Sequence, residues 1–138
     1  MTRPSTRLSD CTKAEARIRL QQAESFLFVA SATLNEDNDL ATPGVAAALA
    51  VLAGIAASDA ACCARLGERS RGQDHRQAVQ LLEKVSPNGA NMAKALRELL
   101  AIKDDSHYGS SLVSLSKAKL MVRRAKELID SARLIVHR

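Results

Sequence analysis

Aromatic residues are almost missing from this sequence. Phe26, Phe28 and Tyr108 are the three among 138 residues, and there is no Trp. A β-sandwich or β-barrel normally depends on aromatic and β-branched side chains. A surface that stacks nucleic-acid bases also needs exposed rings. The composition therefore argues against both an all-β fold and an aromatic base-stacking platform.

Cysteine is scarce as well. Cys11, Cys62 and Cys63 are an odd number of thiols, two of them adjacent. Neither a disulfide framework nor a Cys-X-X-Cys metal motif is predicted from them. We expect these side chains to pack as small buried hydrophobes, in a cytoplasmic protein whose thiols stay reduced. No metal ion or other cofactor is expected.

We expect no segment that targets or crosses a membrane. Arg3 and Arg7 are followed by polar residues where a signal peptide would need an apolar stretch. The longest apolar run, Val45–Ala57, is too short to span a bilayer. We therefore expect no membrane association, a flexible basic arm over residues 1–9, and a single domain over residues 10–138.

Helix-forming residues dominate what is present. Apolar residues recur at spacings of three and four in five segments, and no strand pattern is found. Thr12 and Glu15 form a predicted capping box, Pro43 follows Thr42 at a second helix start, and Gly67 ends that helix. The fold class predicted is all-α, an up-and-down bundle of about five helices.

The second predicted helix is rich in alanine and nearly apolar all round, which is typical of a central helix or of one in a protein interface. Val45, Leu52, Ala56 and Cys63 mark its predicted core-facing stripe, and the same spacing places Asp59 on it. A buried carboxylate needs a partner. Lys103, His107 or an arginine is the natural candidate.

Polar residues from three segments should meet at one pole of this bundle. If the helices alternate in direction, the ends of helices two and four and the start of helix three lie together. The converging residues are Asp59, Arg69, Arg71, His75, Lys103, His107 and Tyr108. Three interpretations remain open: a polar knot that locks the helix ends, a site where arginine and lysine hold a phosphate, and an RNA-cleaving site with a histidine acid or base.

The net charge of +5 permits binding to nucleic acid or to an acidic partner. It is equally an ordinary way to stay soluble.

Two of these segments resemble a known family. Gly72-Gln73-Asp74-His75-Arg76-Gln77-Ala78-Val79-Gln80-Leu81-Leu82 is similar to the G-x-x-H-x-x-x-x-x-L-L helix start of HEPN domains. The alanine-rich helix with Asp59 and the later segment Lys103–Tyr108 resemble the features around that helix start. The layout is similar from about Thr12 to the end, and closest to a small stand-alone branch of actinobacterial type.

The resemblance implies a HEPN-like helical bundle that forms a homodimer. Some HEPN proteins are metal-independent ribonucleases, toxins paired with a nucleotidyltransferase-type antitoxin. Their motif is an arginine, a polar residue, and a histidine four to six positions on. Here Lys103 stands in place of the arginine, Asp104 takes the polar position, and three residues separate Lys103 from His107.

The function implied first is binding of a nucleotide, RNA or another phosphate-bearing ligand in a polar pocket between helices two, three and four. The ligand-binding residues would be Asp59, Arg69, Arg71, His75 and Tyr108. One alternative is a ribonuclease in which His107 is the acid or base and Lys103 supports the phosphate. The other is a non-catalytic structural or regulatory partner protein. Whether the protein is an enzyme is left open.

Overall fold

A computed structural model of the protein describes residues 8–36, 38, 40–71, 75–108 and 113–138, with the backbone alone at residues 103–108. The elements in chain order are β1 (Leu8–Asp10), α1 (Lys13–Leu34), α2 (Pro43–Leu66), β2 (Glu68–Ser70), α3 (His75–Glu83), α4 (Gly89–Tyr108) and α5 (Leu115–Val136). The prediction of an all-α bundle of five helices is confirmed.

Helix ends lie where the capping residues predict them. The Thr12 hydroxyl accepts a hydrogen bond from the Glu15 amide at 3.1 Å, and the Glu15 carboxylate accepts one from the Thr12 amide at 2.8 Å. Each side chain therefore satisfies a backbone donor that the first turn leaves unpaired. Gly67 ends α2 in the left-handed conformation, with φ of 73°, which costs a residue without a Cβ little.

The two short strands were not predicted. β1 pairs antiparallel with β2, and Leu8 faces Ser70, Ser9 faces Arg69, and Asp10 faces Glu68. Three residues are too few for an alternating apolar pattern to be recognised. Leu8 and Ser9, assigned to the flexible arm from the sequence, belong to β1, and residues 1–7 lie outside the described chain.

The core is built from one face of each helix. α5 follows its predicted stripe closely, because its apolar residues recur at helical spacing with charged residues between them. Its buried side chains are Ala118, Met121, Ala125, Leu128, Ile129, Ala132 and Ile135.

In α2, the predicted core-facing stripe is wrong in the N-terminal half. Val45 and Leu52 are 44% and 46% exposed, whereas alanines on the other faces are buried. Alanine has almost no side chain to keep neighbouring helices apart, so the bundle closes on the alanine faces. At about 1.5 Å per residue, α3 is also far shorter than α2 and cannot cover its whole length.

α2 is long and apolar enough, by length and composition, to cross a membrane. The sequence had not indicated this, because its longest uninterrupted apolar run, Val45–Ala57, is shorter than the helix. Within its most apolar window, 72% is buried inside the bundle. A core helix of a soluble protein passes the same test, and this helix is consistent with one.

Candidate functional site

A buried carboxylate and two arginines form the centre of the candidate site. Asp59 lies in α2 and is 7% exposed. Arg19 of α1 donates from Nε at 3.2 Å and from Nη2 at 2.8 Å to Asp59 Oδ2. Arg69 of β2 places Nη1 3.7 Å from the same oxygen. The prediction that Asp59 needs a cationic partner is therefore met by two arginines.

Arg19 was not among the predicted site residues. Only the ends of helices two, three and four were expected to converge, and Arg19 lies in the first half of α1. A simple geometric signal was available. In two antiparallel helices joined by a turn, residues equidistant from the turn lie side by side. Counted from the midpoint between the end of α1 at Leu34 and the start of α2 at Pro43, residue 59 faces roughly residue 19.

Burial and charge act on Asp59 in opposite directions. Loss of water around the carboxyl is the larger effect and raises its pKa above the usual 3.8. The Arg19 hydrogen bonds, and then the positive charges of Arg19 and Arg69, lower that pKa and offset part of the increase. With Asp59 ionised, two guanidinium groups face one carboxylate, and the cluster carries one net positive charge.

β2 positions Arg69 at the edge of this cluster. Its side chain is 38% exposed, and its 3.7 Å contact with Asp59 is longer than a hydrogen bond. Arg71 is exposed and follows directly after β2, two residues beyond Arg69.

His75 begins α3 and is partly buried. The Ser70 hydroxyl and the Gln77 side-chain oxygen lie 3.5 Å apart, a contact that brings the end of β2 to α3. Of the residues predicted to converge, the structure therefore brings Asp59 and Arg69 into contact and places Arg71 and His75 on the same connection.

The remaining predicted residues come from the end of α4. The α4 backbone is helical through Tyr108. The side chains of Lys103, His107 and Tyr108 lie outside the described part of the chain, as do Gly72, Gln73 and Asp74 of the resembling segment. Their convergence with Asp59 stays a prediction.

The prediction about cysteine pairing is wrong. Cys11 and Cys63 form a disulfide, with sulfur atoms 2.10 Å apart and Cα atoms 5.4 Å apart. Strand β1 carries Cys11 to the last turn of α2, and without that strand the sequence offered no reason to join residues 52 positions apart. Cys63 lies one helical turn after Asp59, so the bridge is a neighbour of the cluster.

Cys62 is the free thiol and is buried, as expected for a small packing residue. Burial, followed by the negative charge of Asp59, raises the pKa of Cys62 to about 12. A thiol with that pKa stays protonated and is a poor nucleophile at neutral pH.

Two shallow grooves lie elsewhere, between α4 and α5. The larger has a volume of about 210 Å³, below the size typical of small-molecule sites. Its wall is formed largely by an ion-paired cluster, in which Arg124 Nε donates to Glu98 at 2.7 Å and Nη1 reaches Glu127 at 3.2 Å. This groove is distinct from the pocket predicted between helices two, three and four.

Among the described residues, no group of three or more His, Cys, Asp or Glu side chains could hold a metal ion. Comparison of the chain with models of protein families, with curated proteins and with solved structures gave no match. The resemblance to HEPN domains therefore stays a prediction from the sequence.

Proposed function

We propose that this protein is a cytoplasmic, HEPN-like helical protein that binds a nucleotide, RNA or another phosphate-bearing ligand where α2 meets β2. The position of Arg69 carries the proposal. Its guanidinium is partly exposed and only loosely held by Asp59 at 3.7 Å. Guanidinium groups bind phosphate oxygens through paired N–H donors.

The surrounding charge supports an anionic ligand. Arg19 already gives Asp59 two close N–H donors, so Asp59 does not depend on Arg69 for a hydrogen bond. A phosphate can then draw Arg69 outward without leaving the buried carboxylate alone. Arg71, which is exposed and two residues further along the chain, would supply a second guanidinium. His75 and Tyr108 belong to the proposed site on the resemblance and the topology.

A binding assay with charge-matched variants tests the proposal. ATP and a short RNA oligonucleotide are titrated against wild type, Arg69→Ala and Arg71→Ala. Each substitution should weaken binding about 10- to 100-fold, the range for one charge-assisted hydrogen bond. Arg123→Ala, an exposed arginine of α5, removes the same charge elsewhere and should leave affinity nearly unchanged. Equal losses in all three variants, or no binding by wild type, would contradict the proposal.

The second candidate function is the metal-independent ribonuclease of toxin–antitoxin type, with a nucleotidyltransferase-type antitoxin as partner. Because α4 is helical through Tyr108, positions 103 and 107 are one turn apart on one helix, the spacing at which two groups can act together. Purified His107→Ala should lose RNA cleavage. Cleavage that persists at the wild-type rate would remove this candidate.

The third candidate is a non-catalytic partner protein or homodimer. The outer face of α2 supports it, because Val45 and Leu52 are about half exposed and Leu40, just before the helix, is 85% exposed. Exposed apolar side chains of this size are typical of surfaces that a second chain covers.

A further inference from the structure

The disulfide fastens β1, which pairs with the strand that holds Arg69. Cys11 comes directly after β1, and Cys63 lies in the last turn of α2. β1 is the hydrogen-bonded neighbour of β2, and Ser9 of β1 faces Arg69 across the ladder. A single covalent bond therefore connects the end of α2, where Asp59 lies, to the strand that supports its arginine partner.

Apart from its direct continuation into α1 and the packing of Leu8 against the core, β1 is held by few contacts. The Cys11 amide donates to the Gly67 carbonyl at 2.9 Å, and three residue pairs form the ladder. A two-stranded ribbon of this length is marginal by itself in water. Asp10 and Glu68 are also directly opposite each other, and like charges at such positions destabilise a strand pair. The disulfide is thus the strongest of these links.

We propose that the Cys11–Cys63 disulfide is a redox switch that sets the position of β2 and of Arg69. When the bridge is intact, β2 is held against β1 and Arg69 stays beside Asp59. When it is reduced, β1 is free to separate, β2 loses its ladder partner, and Arg69 leaves its place. The consequence for phosphate binding, a weaker affinity in the reduced form, rests on the proposed function.

The reduction needs a dithiol as the two-electron donor. A thiolate of the dithiol attacks Sγ of Cys11, the more exposed residue of the pair, and the Cys63 thiolate leaves and takes a proton. The second thiol of the dithiol then attacks the mixed disulfide and releases Cys11, which is protonated in turn. The protein gains two electrons and two protons, and the dithiol becomes a disulfide.

Cys62 does not compete in this exchange, although it is adjacent to Cys63. It is buried, and its raised pKa keeps it in the thiol form, whereas only a thiolate attacks a disulfide. Re-oxidation by oxidised glutathione should therefore restore the Cys11–Cys63 pair. Cys62→Ala, which leaves both bridge cysteines in place, is the matched control.

Hydrogen exchange on the full chain tests the switch without a ligand. Oxidised wild type, wild type with excess dithiothreitol, Cys11→Ser and Cys62→Ala are compared. Reduction and Cys11→Ser should each speed exchange at Glu68–Ser70 at least tenfold. The α5 amides should change less, oxidised glutathione should restore protection in wild type, and oxidised Cys62→Ala should behave like oxidised wild type. Unchanged exchange at β2 on reduction, or no Cys11–Cys63 bridge by mass spectrometry in protein treated with oxidised glutathione, would overturn the proposal.

Titration with ATP under the same conditions separates the two proposals. About tenfold weaker binding after reduction supports both. Faster exchange with no ATP binding in either state overturns the proposed function and leaves the switch supported. Faster exchange with equal ATP affinity in both states overturns the link between the switch and binding.

Discussion

Removing the Arg19 guanidinium should destabilise the protein in a way that depends on pH. Arg19→Met is the suitable change, because methionine keeps most of the aliphatic stem and removes the charge and both donors to Asp59. The carboxylate would then be left in a buried position with only Arg69, 3.7 Å away and partly exposed.

The size of the effect follows from the burial of the pair. Removing one partner of a fully buried ion pair costs about 3–5 kcal/mol, and an exposed pair contributes about 0–1 kcal/mol. The side chains of Arg19 and Asp59 are 26% and 10% exposed, and Arg69 remains as a second cation. We therefore expect a loss of about 2 kcal/mol in the free energy of unfolding at pH 7.

The loss should shrink as the pH falls. In wild type, the pKa of Asp59 is already above the unfolded value of 3.8, because desolvation outweighs the arginines. The folded state therefore takes up a proton more readily than the unfolded state, and the contribution of Asp59 to stability rises as pH falls through the folded pKa toward 3.8. Arg19→Met removes the Arg19 hydrogen bonds and charge, which lower the Asp59 pKa more than Arg69 does. The Asp59 pKa in the variant therefore rises further, and the gain in stability on protonation of Asp59 starts at a higher pH.

Urea unfolding of wild type and Arg19→Met at several pH values between 4 and 7 measures this difference. Asp59→Asn and the double variant Arg19→Met/Asp59→Asn complete a double-mutant cycle. When Asp59 is already replaced by Asn, the stability lost through Arg19→Met should depend little on pH. Arg97→Met, whose partner Glu83 is 3.2 Å away in a largely exposed pair, should cost under about 1 kcal/mol. A loss for Arg19→Met below about 0.5 kcal/mol, or one equal at every pH, would refute the reasoning.

Two further predictions concern the fold. Gly54 lies where α2 meets α4, and a Cβ there would be 2.5 Å from Leu99 Cδ1. Gly54→Ala should therefore lower the free energy of unfolding by about 1 kcal/mol, although alanine has the better helix propensity. At Gly44 the nearest atom to an added Cβ is Thr42 Oγ1 at 3.8 Å, so Gly44→Ala should be neutral or stabilising in the same denaturation assay. A Gly44→Ala variant less stable than Gly54→Ala would contradict the packing argument. The disulfide closes a loop of 52 residues. Cys11→Ser should therefore lower the free energy of unfolding by about 4 kcal/mol, and Tm in calorimetry by on the order of 10 °C. An unchanged Tm after reduction of wild type would contradict this prediction.

The helices were predictable because each signal is local. The α5 stripe repeats over about five turns with charged residues between its apolar positions, and the Thr12–Glu15 capping box needs only four residues. The exposed face of α2 was not predictable in the same way. A helix with alanine on every side gives no periodic contrast, so the buried side is decided by which neighbours pack closely.

The disulfide and the strand pair could not be predicted for a different reason. Each joins residues 8–11 to residues 63–70, far along the chain. A three-residue strand is too short for its sequence to indicate which segment it pairs with. The bridge also bears on the expected compartment. In a reducing cytoplasm a disulfide is typically transient or redox-sensing, whereas in an oxidising compartment it is permanent. The expectation of a reducing compartment was drawn from cysteines thought to be unpaired, so the bridge removes that ground for it.

The position of Arg19 bears on the role of the polar residues at the end of α4. From the sequence, Lys103 and His107 were natural candidates to neutralise Asp59, which linked the ribonuclease hypothesis to the buried carboxylate. Arg19 and Arg69 already supply that charge from α1 and β2. Neutralising Asp59 therefore no longer requires Lys103 or His107. Urea unfolding of His107→Ala, measured beside RNA cleavage, separates the two roles: a loss of cleavage at unchanged stability would report on the reaction itself.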